Sequence, residues 1–191
     1  MDLILLRHGE TEWNLTGRMQ GLSDTRLTEA GLDQARQAVT KMPVFGQIWT
    51  SPLQRAKVTA QIIADAQAAN CAVDDRLLER SWGEWEALLP EEVDERWPGW
   101  RAAGRKPSGY EYDESVFARF QAWLADVSKA DDSGPVAAVT HGGFMSALVR
   151  VLGGTDTGYK NLEGVWLSGE GERLRIVRHE EFIPGARKLT R

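Results

Sequence analysis

Two kinds of hydrophobic pattern alternate along the chain. Leu3-Ile4-Leu5-Leu6 and Val136-Ala137-Ala138-Val139 are unbroken apolar runs. Each empties into a polar, glycine-containing tract, Arg7-His8-Gly9 and His141-Gly142-Gly143. Short runs bounded by turn residues predict strands buried on both faces. Gln47-Ile48-Trp49-Thr50 predicts another short strand. Between the strands, Leu32, Ala35, Val39 and Met42 recur at helical spacing, so a helix is expected over 29–41, capped by Thr28 and ended by Pro43. Ser51 as cap and Pro52 at the first helical position predict a helix that carries Val58, Ile62 and Ile63 and runs to about Ala69. Residues 13–26 read as irregular, and Val73 to Arg80 as a transition. A short helix is expected around Glu91 to Trp97. A longer one, from about Glu114 to Ala130, places Val116, Phe120, Trp123 or Leu124, and Val127 on one face, with a loop over 131–135. A helix from Gly142 carries Met145, Leu148, Val149 and Leu152. Gly164 to Leu167 and Leu174 to Val177 predict antiparallel or edge strands.

Strand–helix alternation with buried strands predicts a three-layer α/β/α sandwich around a mostly parallel sheet. No linker or repeat divides the chain, so one domain is expected over 1–191. Within it, residues 87–112 turn from acidic to basic, carry Trp97 and Trp100, and read as a cap-like insertion. Trp97, Trp100, Tyr110 and Tyr112 are read as packing that cap onto the sheet, the alternative being that they line a leaving-group site.

Composition narrows the function. The net charge of −5 argues against a sequence-blind nucleic-acid binder. The single cysteine, Cys71, allows no intramolecular disulfide and reads as a small packing residue. The amino terminus lacks a signal-peptide pattern, and no apolar stretch approaches a membrane span. A cytoplasmic protein that binds neither nucleic acid nor membrane is expected, either monomer or homodimer. Metal is not expected: no histidines are paired at ligand spacing, and one cysteine gives no thiolate set. His179 has no neighbouring motif and is expected in solvent.

The chemistry concentrates in the loops that follow strands, at the sheet edge where α/β proteins bind ligands. Two of the three histidines, His8 and His141, sit there, each followed by glycine. Arg7 adjoins His8, and Arg55 falls in the first turn after the strand at 47–50. Glycine permits close backbone approach to a ligand, and a helix starting at Gly142 aims its amides at the same edge. Two guanidiniums, two imidazoles and a helix terminus at one edge suit an oxyanion, with phosphate the natural occupant.

In their order along the chain, several motifs resemble the histidine phosphatase superfamily, the branch containing phosphoglycerate mutases and small phosphatases. They are Leu5 to Asn14 (LLRHGETEWN), Gln20-Gly21, Leu27 to Gly31, Thr50 to Ala56 (TSPLQRA), Thr59-Ala60, Leu77-Leu78-Glu79, Gly83 to Glu86, and Val139 to Gly143 (VTHGG). The resemblance implies a phosphoglycerate mutase-like fold and two-step phosphoryl transfer without a cofactor. His8 would be the nucleophile, forming a phosphohistidine. Arg7, Arg55 and His141 would hold the equatorial oxygens and Asn14 would add a hydrogen bond. Glu79 would protonate the leaving oxygen, where the simplest alternative is an ion pair with Arg76 or Arg80. Gln20, Gly21 and the Gly142 amide would border the site. Ala87 stands where the family often has glycine, which bears on the turn there.

A small phosphorylated metabolite is the expected substrate, and phosphomonoester hydrolysis the expected reaction. The segment from Ala87 to Tyr112 is shorter than the basic insertion by which the family's mutases hold phosphoglycerate. Mutase-type transfer is one alternative, and a phosphate-binding protein without turnover is another.

Overall fold

The structure, a computed structural model, describes residues 1–129, 134–169 and 171–186. Six strands form one sheet: β1 (Asp2–Arg7), β2 (Gln47–Thr50), β3 (Cys71–Val73), β4 (Val136–Thr140), β5 (Glu163–Ser168) and β6 (Arg175–Glu181), in the order β3-β2-β4-β1-β5-β6. The pairs β1–β4, β2–β4 and β2–β3 are parallel, and β5 and β6 are added antiparallel beside β1. A mixed α/β fold with a mostly parallel centre is what the alternating pattern predicts.

The helices are α1 (Glu12–Thr16), α2 (Glu29–Val39), α3 (Gln54–Ala66), α4 (Pro90–Arg96), α5 (Asp113–Val127) and α6 (Gly142–Val151). The unbroken apolar strands serve both faces of the sheet. Leu3, Leu5, Val136 and Ala138 pack against Phe120, Trp123 and Leu148 of α5 and α6. Ile4, Leu6, Ala137 and Val139 face the other way, onto Ala38, Ala56, Ala60 and Ile63 of α2 and α3. Strand alternation splits one sequence run into two cores.

Several boundaries differ from the sequence reading. The helix after β2 starts at Gln54, not Pro52, and ends at Ala66. Ser51 still caps a free amide, since its Oγ accepts from Leu53 N at 3.3 Å, but it does so in a turn ahead of the helix. Within residues 13–26 lies part of α1, closed by a capping box in which Thr11 and Asn14 exchange side-chain and backbone bonds. The transition at Val73 begins with an edge strand, β3. The expected helix end at Ala130 and loop residues 131–133 lie outside the described residues. His179 is exposed, stacked on Tyr159. Cys71 is partly buried against the α2–α3 core, and burial raises its thiol pKa.

Residues 82–110 form an excursion with its own stem. Trp82 bridges Tyr110, Glu111 N donates to Ser81 O at 3.0 Å, and Glu84 N donates to Ser108 O at 3.2 Å. A small third core of Trp85, Leu88 and Val93, with Met19, Trp82, Trp97 and Trp100 against it, fills the excursion. Trp97 and Trp100 thus pack within it and not onto the sheet. Ala87 adopts the left-handed region, φ 62°, where an alanine is strained and a glycine would not be. Two bonds hold that turn: Ala87 N to Met19 O at 2.8 Å, and Arg18 to Ala87 O.

Candidate active site

Strand register brings the two histidines together. Arg7 and Thr140 are partners at the ends of β1 and β4, so His8 and His141 are the next residues on adjacent strands. His8 N donates to Thr140 O at 3.1 Å, and the ring centroids lie 5.3 Å apart. β2 ends at the same level, with Ser51 N bonded to Val139 O at 3.1 Å, and α3 then brings Arg55 back over the edge.

The His8 ring is fixed by one bond. Nδ1 lies 2.7 Å from the carbonyl oxygen of Gly9. A carbonyl can only accept, so Nδ1 carries the proton and Nε2 keeps its lone pair. His8 is 2% exposed and lines the cavity. Burial, then the charges of Arg55 and Arg7, hold its pKa well below 6.5 against the opposing pull of the Gly9 carbonyl. The imidazole is therefore neutral at pH 7. His141 has the opposite tautomer. Its Nδ1 accepts from Arg55 Nε at 3.2 Å, which puts the proton on Nε2, a buried donor with no hydrogen-bond partner among the described residues. Burial and the Arg55 charge also hold its pKa well down.

Arg55 is 1% exposed and held by backbone oxygens, Nη1 by Ser23 O at 2.6 Å and Nη2 by Gly21 O at 2.8 Å. Burial brings its pKa down to about 10, partly offset by Glu79, Asp24 and Glu86, so it stays cationic at neutral pH. Arg7 Nη1 donates to Tyr159 O at 2.6 Å. Thr59 ties α3 to the histidine loop, accepting from Gly9 N at 3.1 Å and donating to Arg55 O at 2.7 Å.

Glu79, 8% exposed, is seated by three amides: Arg80 N at 2.8 Å and Phe144 N at 2.7 Å on Oε1, and Gly143 N at 2.9 Å on Oε2. The ion pair with Arg76 or Arg80 does not form. The Arg76 side chain bonds Asp74 and Asp126, and that of Arg80 bonds Tyr110 and Asp113. The amino end of α6 therefore gives the Gly143 and Phe144 amides to Glu79, while Gly142 borders the cavity. The glycines find their reasons here. A Cβ on Gly143 would lie 2.7 Å from Glu79 Oε1. A Cβ on Gly9 would lie 2.6 Å from Gly31 O, so Gly9 admits the start of α2 and not a ligand.

These residues open on a cavity of about 940 Å³, lined by Arg7, His8, Gln20, Gly21, Arg55, Glu79 and Gly142 among the expected site residues. His141 and Asn14 stand behind that lining. Asn14 Oδ1 accepts from Thr11 N at 3.2 Å and from Asn161 Nδ2 at 3.0 Å, and Asn161 also donates to His8 O at 2.9 Å. Gln20 accepts from Thr25. The lining also includes charged residues that the motif reading did not assign to the site: Arg18, Arg80, Arg101, Lys106, Asp113 and Arg150. Tyr110 and Tyr112, expected as packing residues, also face this space with Trp82 and Trp85. The sequence signal for these residues is the basic stretch of residues 101–106. Among the described residues no group of three or more His, Cys, Asp or Glu is placed to hold a metal ion, and no helix is long and apolar enough to cross a membrane.

Comparison with known proteins identifies the family and the fold. Residues 3–180 match the histidine phosphatase superfamily (branch 1). The chain is 36% identical over 189 residues to phosphoserine phosphatase 1 of Hydrogenobacter thermophilus, covering 95% of this chain and 87% of that protein. It is 36% identical over 161 residues to a probable phosphoglycerate mutase of Enterobacter sp., covering 80% and 74%. Among solved structures, a mycobacterial glucosyl-3-phosphoglycerate phosphatase in complex with VO3 superposes with a TM-score of 0.81 at 32% identity, covering 94% of this chain and 97% of that one.

Proposed function

The chain belongs to branch 1 of the histidine phosphatase superfamily and is a phosphoric monoester hydrolase, and we propose that it works through a phosphohistidine on His8. His8 Nε2 attacks phosphorus in line with the ester oxygen. The P–O ester bond breaks, and the departing oxygen takes a proton from Glu79. Water then attacks the phosphohistidine, gives its proton back to Glu79 and releases phosphate. Arg7 and Arg55 neutralise the transferring oxygens, and His141 Nε2–H supplies a further donor. Gln20, Gly21 and the Gly142 amide border the group, and Asn14 acts from behind by bracing the His8 backbone through Asn161. Residues 87–112 act as the cap over the leaving group.

The observation that carries this reading is the His8 tautomer, a neutral ring with its lone pair toward a cavity walled by two arginines. The vanadium oxyanion named with the mycobacterial relative supports a phosphate-shaped site. The named relatives act on phosphoserine and glucosyl-3-phosphoglycerate, both of which carry a carboxylate. With Arg101, paired to Asp94, and Lys106 in the cavity lining, this supports small phosphorylated acids as substrates.

The test is a rapid quench with ³²P-labelled substrate. An acid-labile, alkali-stable label is expected on the wild type and absent from His8→Ala, whose turnover falls at least about a thousandfold. Turnover without such a label overturns the mechanism. The probable mutase among the relatives favours a second reading, phosphoryl return to the sugar acid. It predicts 2-phosphoglycerate from 3-phosphoglycerate, with a trace of bisphosphate, faster than free phosphate appears.

A further inference from the structure

The carboxylate of Glu79 is oriented by amides from two separate pieces of chain. Arg80 N belongs to its own segment, and Gly143 N and Phe144 N belong to α6. The side chains of those same two pieces meet at one residue, Asp113, the first of α5. Asp113 Oδ1 accepts from the Arg80 guanidinium and from Arg150 Nη2 at 2.8 Å, and Oδ2 accepts from Arg150 Nε at 2.6 Å. Arg150 lies in the last turn of α6. The other arm of Arg80 bonds the Tyr110 hydroxyl, at the stem of the excursion. Arg150 also bonds Asp156, which accepts from Ser146 Oγ of α6 at 3.0 Å.

This arrangement is not a surface ornament. Arg80 is 2% exposed, and its buried Nε has no hydrogen-bond partner among the described residues. Burying a guanidinium needs a countercharge, and Asp113 supplies it. Arg80, Asp113 and Arg150 all face the cavity.

We propose that Asp113 is a positioning residue for proton transfer. By clamping Arg80 to Arg150 it locks together the two backbone pieces whose amides aim Glu79 at the departing oxygen. The inference rests on Glu79 as the proton donor. Bonds from Arg150 and then Arg80 hold the Asp113 carboxyl down to about 2, so the clamp is ionised across the working range.

The leaving group discriminates this role from simple support. p-Nitrophenolate departs without a proton, whereas an alkoxide needs one. The measurement is kcat/KM, which covers the steps through departure, for p-nitrophenyl phosphate and for an alkyl ester such as 3-phosphoglycerate. Asp113→Asn is expected to lower kcat/KM for the alkyl ester about tenfold more than for the aryl ester. Arg150→Gln, which cuts the other leg of the clamp, moves in the same direction and carries the test should the first variant not fold. Glu79→Gln sets the full extent of the split. Equal losses on both esters, or no loss, overturn the positioning role while leaving the phosphatase reading intact. A wild type that turns over neither ester and forms no phosphoenzyme overturns both.

Discussion

The two ends of the cavity are built by different means. The end proposed to hold phosphate is built from main chain: two strands in register place His8 and His141, and backbone oxygens of Gly9, Gly21, Ser23 and Tyr159 orient His8, Arg55 and Arg7. The end proposed for the leaving group is built from side chains, on a small aromatic core with its own stem, with Arg80, Arg150 and Asp113 bridged across it. A main-chain frame is insensitive to what surrounds it, so this end keeps one chemistry. A side-chain frame changes with each substitution, so on the proposed mechanism the other end would set preference among substrates.

That contrast can be tested by substitution, starting at the rigid end. Arg55→Gln removes the ties to Gly21, Ser23 and His141 together with the charge, and should lower kcat/KM by roughly 10²–10³ for every phosphoester alike. If instead the loss depends strongly on the leaving group, the division between the two ends is wrong. Gly83→Ala attacks the other end. Gly83 has φ +57°, and a Cβ there would lie 2.0 Å from the Ser108 backbone oxygen. The stem should open at a cost of about 2–3 kcal/mol. Amides of 82–110 should then exchange hydrogen sooner, and those of β1 and β4 as slowly as before.

Acid should weaken the phosphate end first. His8 and His141 have native pKa values well below 6.5, mainly through burial. Below about 6.5 the unfolded chain binds protons that the native state refuses. Stability is therefore complete above that pH and falls as pH drops through the window beneath it, by about 1.4 kcal/mol per pH unit for each histidine. Urea midpoints taken between about pH 7 and pH 5.5 should show the slope, and His141→Gln should halve it. The smallest effect belongs to the excursion. Ala87→Gly relieves the left-handed alanine at φ 62° and should stabilise the protein by about 1 kcal/mol.

The sequence was most readable where one physical cause dominates. Apolar runs as continuous as 3–6 and 136–139 have no solution but a doubly covered sheet, and a strand's end dictates where the next residue goes. That placed His8 and His141 at one sheet edge, while their direct pairing depends on β1 and β4 being neighbours, which the runs do not specify. α1 was missed because five residues hold too little periodicity, and its capping box is a matter of geometry between Thr11 and Asn14. β3 was missed because Cys-Ala-Val on an edge shows no alternation. The start of α3 was misplaced because a serine–proline pair suits a tight turn as well as a cap. Glu79 was found by motif, but its seat was not legible, since it depends on α6 arriving from 64 positions further along the chain. Arg80, Asp113 and Arg150 carry no local signal, because charges that meet in space need no spacing in sequence.

The stem at Trp82 and Tyr110 has an evolutionary consequence. A segment that leaves and rejoins the chain at one point can be lengthened, shortened or exchanged without threading anything through the sheet. Doubling its length costs only about 0.6 kcal/mol in closure entropy. Insertions and deletions can therefore accumulate between these two rings while the strand termini keep their register, and a lineage can acquire a new substrate without rebuilding its nucleophile.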